Sequence, residues 1–157
     1  MPNIFAPTAD PNNTSDQAVA NNGFFPDQTV AAFKASTRTV DTVTDQRVVD
    51  ALSQSIIETN RALADWQAAH ELLGITRLAD VDSGVINGES ELVISYRAAV
   101  FARAKALIID KLRDIDTSRE GDARANEYEN TRDGYLREAI KNVLAIMGRQ
   151  TLTVELI

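Results

Sequence analysis

The sequence predicts an all-α protein, a helical bundle of three long helices plus a short N-terminal helix, with an extended C-terminal tail. Three long stretches repeat apolar residues at intervals of three and four, which is the spacing of one helix face. Glycines stand just after two of these stretches, at Gly74 and Gly148, as is common beyond a helix C-terminus. Only the last nine residues change to a period of two, which is typical of an extended strand.

Residues 1–23 are predicted to form a disordered arm, because they hold three of the four prolines and little that could be buried. The helical domain is expected to span 24–148 and to open with a short helix near Pro26, a residue suited to the first helical turn. Two interpretations of Phe24 and Phe25 stay open. They pack the chain entry onto the body, which we favour, or they form a secondary contact with a partner.

The first long helix is predicted over 44–73, with Thr44 as its N-cap, because no proline or glycine occurs before Gly74. Its expected apolar face comprises Val48, Leu52, Ile56, Leu63, Trp66 and Leu73, with Thr59 and His70 in the same register. A longer loop over 74–90 is expected to follow it.

The second and third long helices are predicted over 91–113 and about 119–147. The second is apolar nearly all round and rich in alanine, which indicates a central helix that its neighbours approach closely. The third is polar in its first half. Its expected core stripe comprises Leu136, Ile140, Val143, Leu144 and Met147.

Composition excludes several classes of protein. There is no cysteine, so disulfides, thiolate metal sites and cysteine nucleophiles are absent. The sequence has no signal peptide pattern and no apolar run long enough for a membrane span, so no membrane association is expected. The formal net charge of −7 argues against a surface that grips nucleic acid. That excess is either an ordinary solvated surface or an acidic wall that lets DNA pass without binding it.

Catalytic chemistry is not indicated. His70 is the only histidine and lies in an apolar helix register without the second ligand that a zinc or di-iron site needs. No phosphate-binding glycine loop or nucleophile motif occurs, and no isolated carboxylate pair is found. We therefore expect neither an enzyme nor a cofactor.

The C-terminal tail, 149–157, alternates apolar and polar residues, and no second strand is evident in the sequence. Because a lone strand cannot satisfy its own backbone, the tail frays, packs as a simple extension, or pairs with a sheet edge of another chain. The residues predicted to contact a partner are Leu152, Thr153, Val154, Glu155, Leu156 and Ile157. These features together describe a helical assembly protein with an interaction tail.

The loop resembles that of the gpL-type head-completion family of temperate tailed bacteriophages. The resemblance is carried by two runs, Gly74-Ile75-Thr76-Arg77-Leu78-Ala79-Asp80-Val81 and Ile86-Asn87-Gly88-Glu89-Ser90. The opening Phe24-Phe25-Pro26-Asp27, Gly121-Asp122 and the final Ile157 are also similar, so the resemblance spans 24–157. The loop residues to which a structural role is assigned are Gly74, Thr76, Arg77, Leu78, Asp80, Gly88, Glu89 and Ser90.

The resemblance implies a structural adaptor beneath the phage portal, in the head-tail neck of the virion, assembled in the host cytoplasm. Its implied partners are the portal protein, further copies of itself in a ring, and the next neck or tail-completion protein. The ring is expected to follow the twelve-fold symmetry of the portal, with DNA passing through unbound. In related adaptors the C-terminal tail docks onto the portal, which suggests the same use for 149–157.

An alternative of another class is a regulatory helical module that captures a phage or host protein through its tail. Ring formation separates the two hypotheses, because an adaptor assembles on isolated portals while a module forms a lasting one-to-one complex. An enzyme would need a polar pocket that the sequence does not reveal.

Overall fold

A computed structural model describes residues 17–37, 43–115 and 121–149, and most of these residues are helical. In chain order its elements are β1 (Ala18–Val19), β2 (Gln28–Thr29), α1 (Val30–Thr37), α2 (Asp45–Ala62), α3 (Ala64–Leu72), a 3-10 turn (Leu78–Asp80), β3 (Val85–Ile86), β4 (Glu89–Ser90), α4 (Glu91–Ile115) and α5 (Gly121–Ile146). Strand pairing is confined, among these residues, to two antiparallel pairs, β1 with β2 and β3 with β4. The predicted all-α class is confirmed, although the sequence showed no sign of these two strand pairs.

Helix α4 is central, as its apolar pattern predicts, because it packs against α5, α2 and α1. Tyr96, Val100 and Ile108 are buried along it. Alanines buried between these larger side chains let the neighbouring helices approach closely, namely Ala99, Ala102, Ala104 and Ala106. Phe33 of α1 closes this core and meets Phe101 edge to face, with 5.4 Å between the ring centroids.

The prediction of one uninterrupted helix over 44–73 is wrong, because the helix breaks at Leu63. Thr44 caps α2 as predicted, its hydroxyl accepting a hydrogen bond from the Arg47 N–H. At the break the Leu63 N–H is shared between the carbonyls of Thr59 and Asn60, which tightens the turn locally. The Leu63 side chain is fully buried, so packing holds the break in place without a proline or glycine.

The prediction that the apolar face of this helix is buried is also wrong beyond the break at Leu63. Helix α3 contains no buried residue, and Leu73, which the sequence placed in the core, is 78% exposed. Trp66 still packs against the core and meets Phe24 edge to face. The end of α3 therefore extends past the body of the protein.

Helix α5 buries a stripe one position away from the predicted one. Among the side chains that the structure describes on this helix, those of 129 and 131–146, Ala139, Val143 and Ile146 are buried, while Ile140 is 51% exposed. The predicted stripe members Leu136, Leu144 and Met147 are half-buried. A small residue at 139 allows a close approach to the alanine-rich face of α4, and the helix turns that face inwards. Spacing alone does not distinguish the two registers, because both contain Val143.

The N-terminal boundary of the fold lies earlier than predicted. Residues 17–23, assigned from sequence to the disordered arm, belong to the fold, because β1 pairs with β2 and Val19 is buried. Residues 1–16 lie outside the described residues. The first helix begins at Val30 and not near Pro26, since the strand pair occupies the intervening chain.

A closed cycle of hydrogen bonds ties this N-terminal segment to α2 and α4. The Asn21 amide donates to the Tyr96 hydroxyl at 2.8 Å, Tyr96 donates to Asn60 Oδ1 at 2.6 Å, and Asn60 donates back to Asn21 Oδ1 at 2.8 Å. The Tyr96 ring stacks on Phe25 at 4.6 Å. Burial raises the pKa of the Tyr96 hydroxyl above its ordinary value, because the charged form would lose its water.

Tyr96→Phe is expected to lower the free energy of unfolding by about 1–3 kcal/mol, because it removes the two hydrogen bonds that the hydroxyl makes with the partly buried amides of Asn21 and Asn60. The pKa of Tyr96 is higher in the folded than in the unfolded chain. Its stabilisation is therefore complete below the ordinary tyrosine pKa of about 10 and is lost as the pH rises above it. Urea unfolding at pH 7 to 11 should show that the free energy of unfolding of the wild type falls at alkaline pH and that this fall is smaller in the variant. Tyr135→Phe, at a half-buried tyrosine of α5, is the control, and an equal effect there would contradict the cycle's role.

Candidate interaction site

The predicted docking residues Leu152 to Ile157 lie outside the described residues, but the structure shows where that segment leaves the body. Helix α5 ends in a Schellman motif, in which the Gly148 N–H bonds to Ala145 O and the Arg149 N–H to Leu144 O. Gly148 has φ +68°, a left-handed conformation that favours glycine. The tail therefore leaves the body directly after the Schellman motif at Gly148.

That point lies at the N-terminal end of α4. Helices α4 and α5 are antiparallel: Arg132 pairs with Asp110 at 2.7 Å, and further along α5 Glu138 lines a cleft together with Ala98. The end of α5 thus comes level with the start of α4. The loop 74–90 leads directly into α4, so the loop and the tail exit share one end of the molecule.

The first half of the loop is held down by its motif residues. Gly74, with φ +84°, ends α3 in a second Schellman motif, donating to Glu71 O while Ile75 donates to His70 O. Leu78 is fully buried, and its N–H donates to Phe24 O at 2.8 Å.

Two other motif residues of this half, Arg77 and Asp80, form a two-pronged ion pair at 2.9 and 3.0 Å across the 3-10 turn. Thr76 is exposed, and no hydrogen bond of its side chain is found within the described residues. The first half of the loop is thus fixed by Gly74, by the buried Leu78 and Val81, and by one ion pair.

The second half of the loop is a tight hairpin, β3–β4. Asn87 and Gly88 both have positive φ, 52° and 79°, as a type I′ turn requires. Glu89 forms a two-pronged ion pair with Arg97 of α4 at 2.6 and 2.9 Å, and this hydrogen bonding lowers the pKa of the Glu89 carboxyl. Ser90 accepts a hydrogen bond from the Leu92 N–H, at the start of α4. The motif residues thus fix the hairpin to the helix.

Phe24 and Phe25 are both buried in the core, as the packing interpretation predicts. Phe25 stacks on Tyr96, and the two phenylalanine rings meet edge to face at 5.0 Å. Little of either ring is left for a secondary contact with a partner.

The end of α3 and the hairpin present exposed apolar side chains that the sequence did not predict to be exposed. Leu72 and Leu73 are 88% and 78% exposed, and Val85 and Ile86 are 69% and 60% exposed. In the sequence Leu73 fits a helix face and Val85-Ile86 fits a loop, so only the structure shows that all four face outwards. We call these four residues the apolar tip.

The basic residues of α4 are largely engaged within the chain. Arg97 pairs with Glu89, and Arg103 pairs with Glu58 of α2 at 2.8 Å. Lys105 is half-buried, and this burial lowers its pKa. The guanidinium groups of Arg97 and Arg103 are therefore not free to bind a phosphate backbone, whereas Lys111 of the same helix is exposed.

His70 lies against Trp66, with the ring centroids 3.9 Å apart. Its Nδ1 is 2.8 Å from the Trp66 carbonyl oxygen and therefore donates a hydrogen to it. Within residues 17–37, 43–115 and 121–149, no three acidic or histidine side chains are grouped to hold a metal ion. None of the helices in this part of the chain is long and apolar enough to cross a membrane.

Comparison with known proteins identifies the family of the chain. The family model of the phage head completion protein (GPL) matches residues 19–157. The chain belongs to this family. Its match includes the loop motif, the hairpin and the tail, so the resemblance predicted from 24–157 is confirmed and extends five residues further towards the N-terminus.

Two relatives of this head completion protein carry the same description. The chain is 33% identical to the head completion/stabilization protein of Escherichia phage P2 over 134 residues, which are 85% of this chain and 79% of the relative. It is 25% identical over 142 residues, 90% of this chain and 93% of the relative, to the probable head completion/stabilization protein of Haemophilus phage HP1. No solved structure matches the chain. The family is a structural one, and its members are virion components.

Proposed function

We propose that this head completion protein is an adaptor that binds the portal vertex after DNA packaging and forms a ring in the head-tail neck. The C-terminal tail is the docking element, and the subunits pack side by side through a head-to-tail interface that closes on itself. The protein has no catalytic role. It assembles in the host cytoplasm, and the next neck protein binds to the completed ring.

The observation that carries this proposal is the tail itself. Helix α5 ends in the Schellman motif at Gly148 and eight residues follow Arg149, with apolar side chains alternating with polar ones from Thr151 to Leu156. An extended segment of that length reaches about 26 Å, enough to cross onto a neighbouring subunit. A strand of this pattern gains most by adding to the edge of a partner's sheet, where both its backbone and its apolar face are satisfied.

The charge distribution supports a conduit for DNA. The chain carries a formal net charge of −7, and Arg97 and Arg103 of α4 form ion pairs with carboxylates of the same chain. A ring built from such subunits repels phosphates from its wall, which favours free passage of DNA.

Deleting residues 150–157 is expected to abolish binding to purified cognate portals while helical content and cooperative unfolding stay nearly unchanged, because the body ends at Gly148. Binding is measured by cosedimentation with portals, and the ring is seen by cryo-electron microscopy of the mixture.

A matched pair of variants tests the strand pattern. Serine at Leu152, Val154 and Leu156 should prevent binding, whereas serine at Thr151, Thr153 and Glu155 should preserve most of it. A truncated protein that still decorates portals would rule out the docking role of the tail. A lasting one-to-one complex without a ring would favour the regulatory module.

A further inference from the structure

The apolar tip is an unusual surface for a small helical protein. Its members, Leu72, Leu73, Val85 and Ile86, are the four most exposed large apolar side chains among the described residues. The other two of this kind, Ile57 and Ile140, stand singly on α2 and α5. Single exposed apolar residues are ordinary, but four of them at one end of a molecule indicate an interaction site.

The four residues lie at one end of the molecule. Helices α2 and α4 are antiparallel, with Glu58 paired to Arg103 and Asn60 hydrogen-bonded to Tyr96. The chain beyond α2 therefore runs towards the start of α4, where the β3–β4 hairpin stands. The end of α3 and the hairpin thus project from the same end as the tail exit.

The apolar tip is also presented on a rigid frame. The Schellman motif at Gly74 sets the position of Leu72 and Leu73. The type I′ turn and the Glu89–Arg97 ion pair set that of Val85 and Ile86. A surface held in one conformation before binding loses little entropy on contact, which favours affinity.

The charges around the tip indicate the kind of partner. From Asp65 to Glu91 the chain carries six carboxylates and one arginine. That arginine, Arg77, is itself paired with Asp80, and Glu89 is paired with Arg97 of α4, so neither carboxylate adds free negative charge. No ion pair of Asp65, Asp82 or Glu91 is found within the described residues. Such a rim repels DNA and anionic membranes, and it complements a protein surface with an apolar centre and lysines or arginines around it.

We infer that the apolar tip is a second docking surface, which binds an apolar patch rimmed by basic residues on the same portal that the tail engages. The inference rests on the proposed function, because it takes the tail's partner as its own. The shared exit point supports this choice, because the tail leaves the body at the same end of the molecule as the tip. Two contacts on one partner reinforce each other, since the first holds the second at high effective concentration.

The test compares full-length variants for binding to purified cognate portals. Leu72→Ser with Leu73→Ser, and separately Val85→Thr with Ile86→Thr, should each weaken binding at least tenfold. The matched control, Ile57→Ser with Ile140→Ser, removes exposed apolar side chains elsewhere and should change binding less than twofold. Raising the salt concentration should weaken wild-type binding, and Glu71→Lys should slow association, because the acidic rim attracts the partner.

The outcomes separate this inference from the proposed function. If wild type binds portals and the tail deletion abolishes binding while the tip variants bind as tightly as wild type, the inference is overturned and the adaptor function stands. If wild type does not bind portals, both are overturned. If the tip variants and the control weaken binding equally, general apolar contact explains the effect and the inference fails. Circular dichroism must show every variant to be as helical as wild type.

Discussion

Phe33→Ala is expected to lower the free energy of unfolding by about 3–5 kcal/mol, the usual range for deleting a buried aromatic ring. Phe33 is fully buried, and its ring meets Phe101 of the central helix edge to face. Alanine leaves a cavity between α1 and α4 that the surrounding helices cannot fill, since both are held by other contacts. The loss is measured by urea unfolding followed by circular dichroism.

Ile140→Ala is the matched control for this prediction. The sequence periodicity places Ile140 in the core of α5, whereas the structure leaves it 51% exposed. A loss below about 1 kcal/mol is therefore expected. If Ile140→Ala costs as much as Phe33→Ala, the observed register of α5 is contradicted and the periodicity was the better guide.

Leu78→Ala is expected to cost about 2–5 kcal/mol, because Leu78 is fully buried beneath the loop. It is the single large side chain that anchors the motif Thr76 to Asp80, and its N–H bonds to Phe24 O. Its loss should also loosen the loop, so amide hydrogens of the β3–β4 hairpin should exchange faster. Calorimetric or urea unfolding gives the first effect and hydrogen exchange the second.

The same substitution six residues earlier provides the comparison. Leu72 is 88% exposed, so Leu72→Ala removes almost no buried surface and should change stability by no more than about 0.5 kcal/mol. Equal losses at 72 and 78 would show that the loop is not packed onto the body as described.

Local signals in the sequence predicted the ends of elements well. Thr44 caps α2, and Gly74 and Gly148 both occupy the left-handed position of a Schellman motif. The start of α4 was also predicted, at Glu91. These features depend on hydrogen bonds between residues a few positions apart, so the residues that make them can be identified in the sequence.

Other features depend on distant contacts and were missed. The break at Leu63 arises from packing, without a glycine or proline to signal it. The strand pair β1–β2 is only two residues long on each side, too short to produce a periodic pattern. For the candidate site, the sequence predicts the loop motif but not the ion pairs that support it. Glu89–Arg97 and Arg77–Asp80 depend on the positions of the side chains in the folded chain.

The sequence by itself determined the helical class, the central position of the alanine-rich helix and, through the loop motif, the head completion family. Tertiary structure alone decided which stripe of α5 is buried and that α3 leaves its predicted apolar face largely exposed. A stripe of apolar residues is wide enough to pack in neighbouring registers, as the choice between Ile140 and Ala139 shows. The tertiary structure also decided that four residues face solvent, namely Leu72, Leu73, Val85 and Ile86. Their exposure depends on where the neighbouring helices end, and the spacing of apolar residues along the chain does not show where that is.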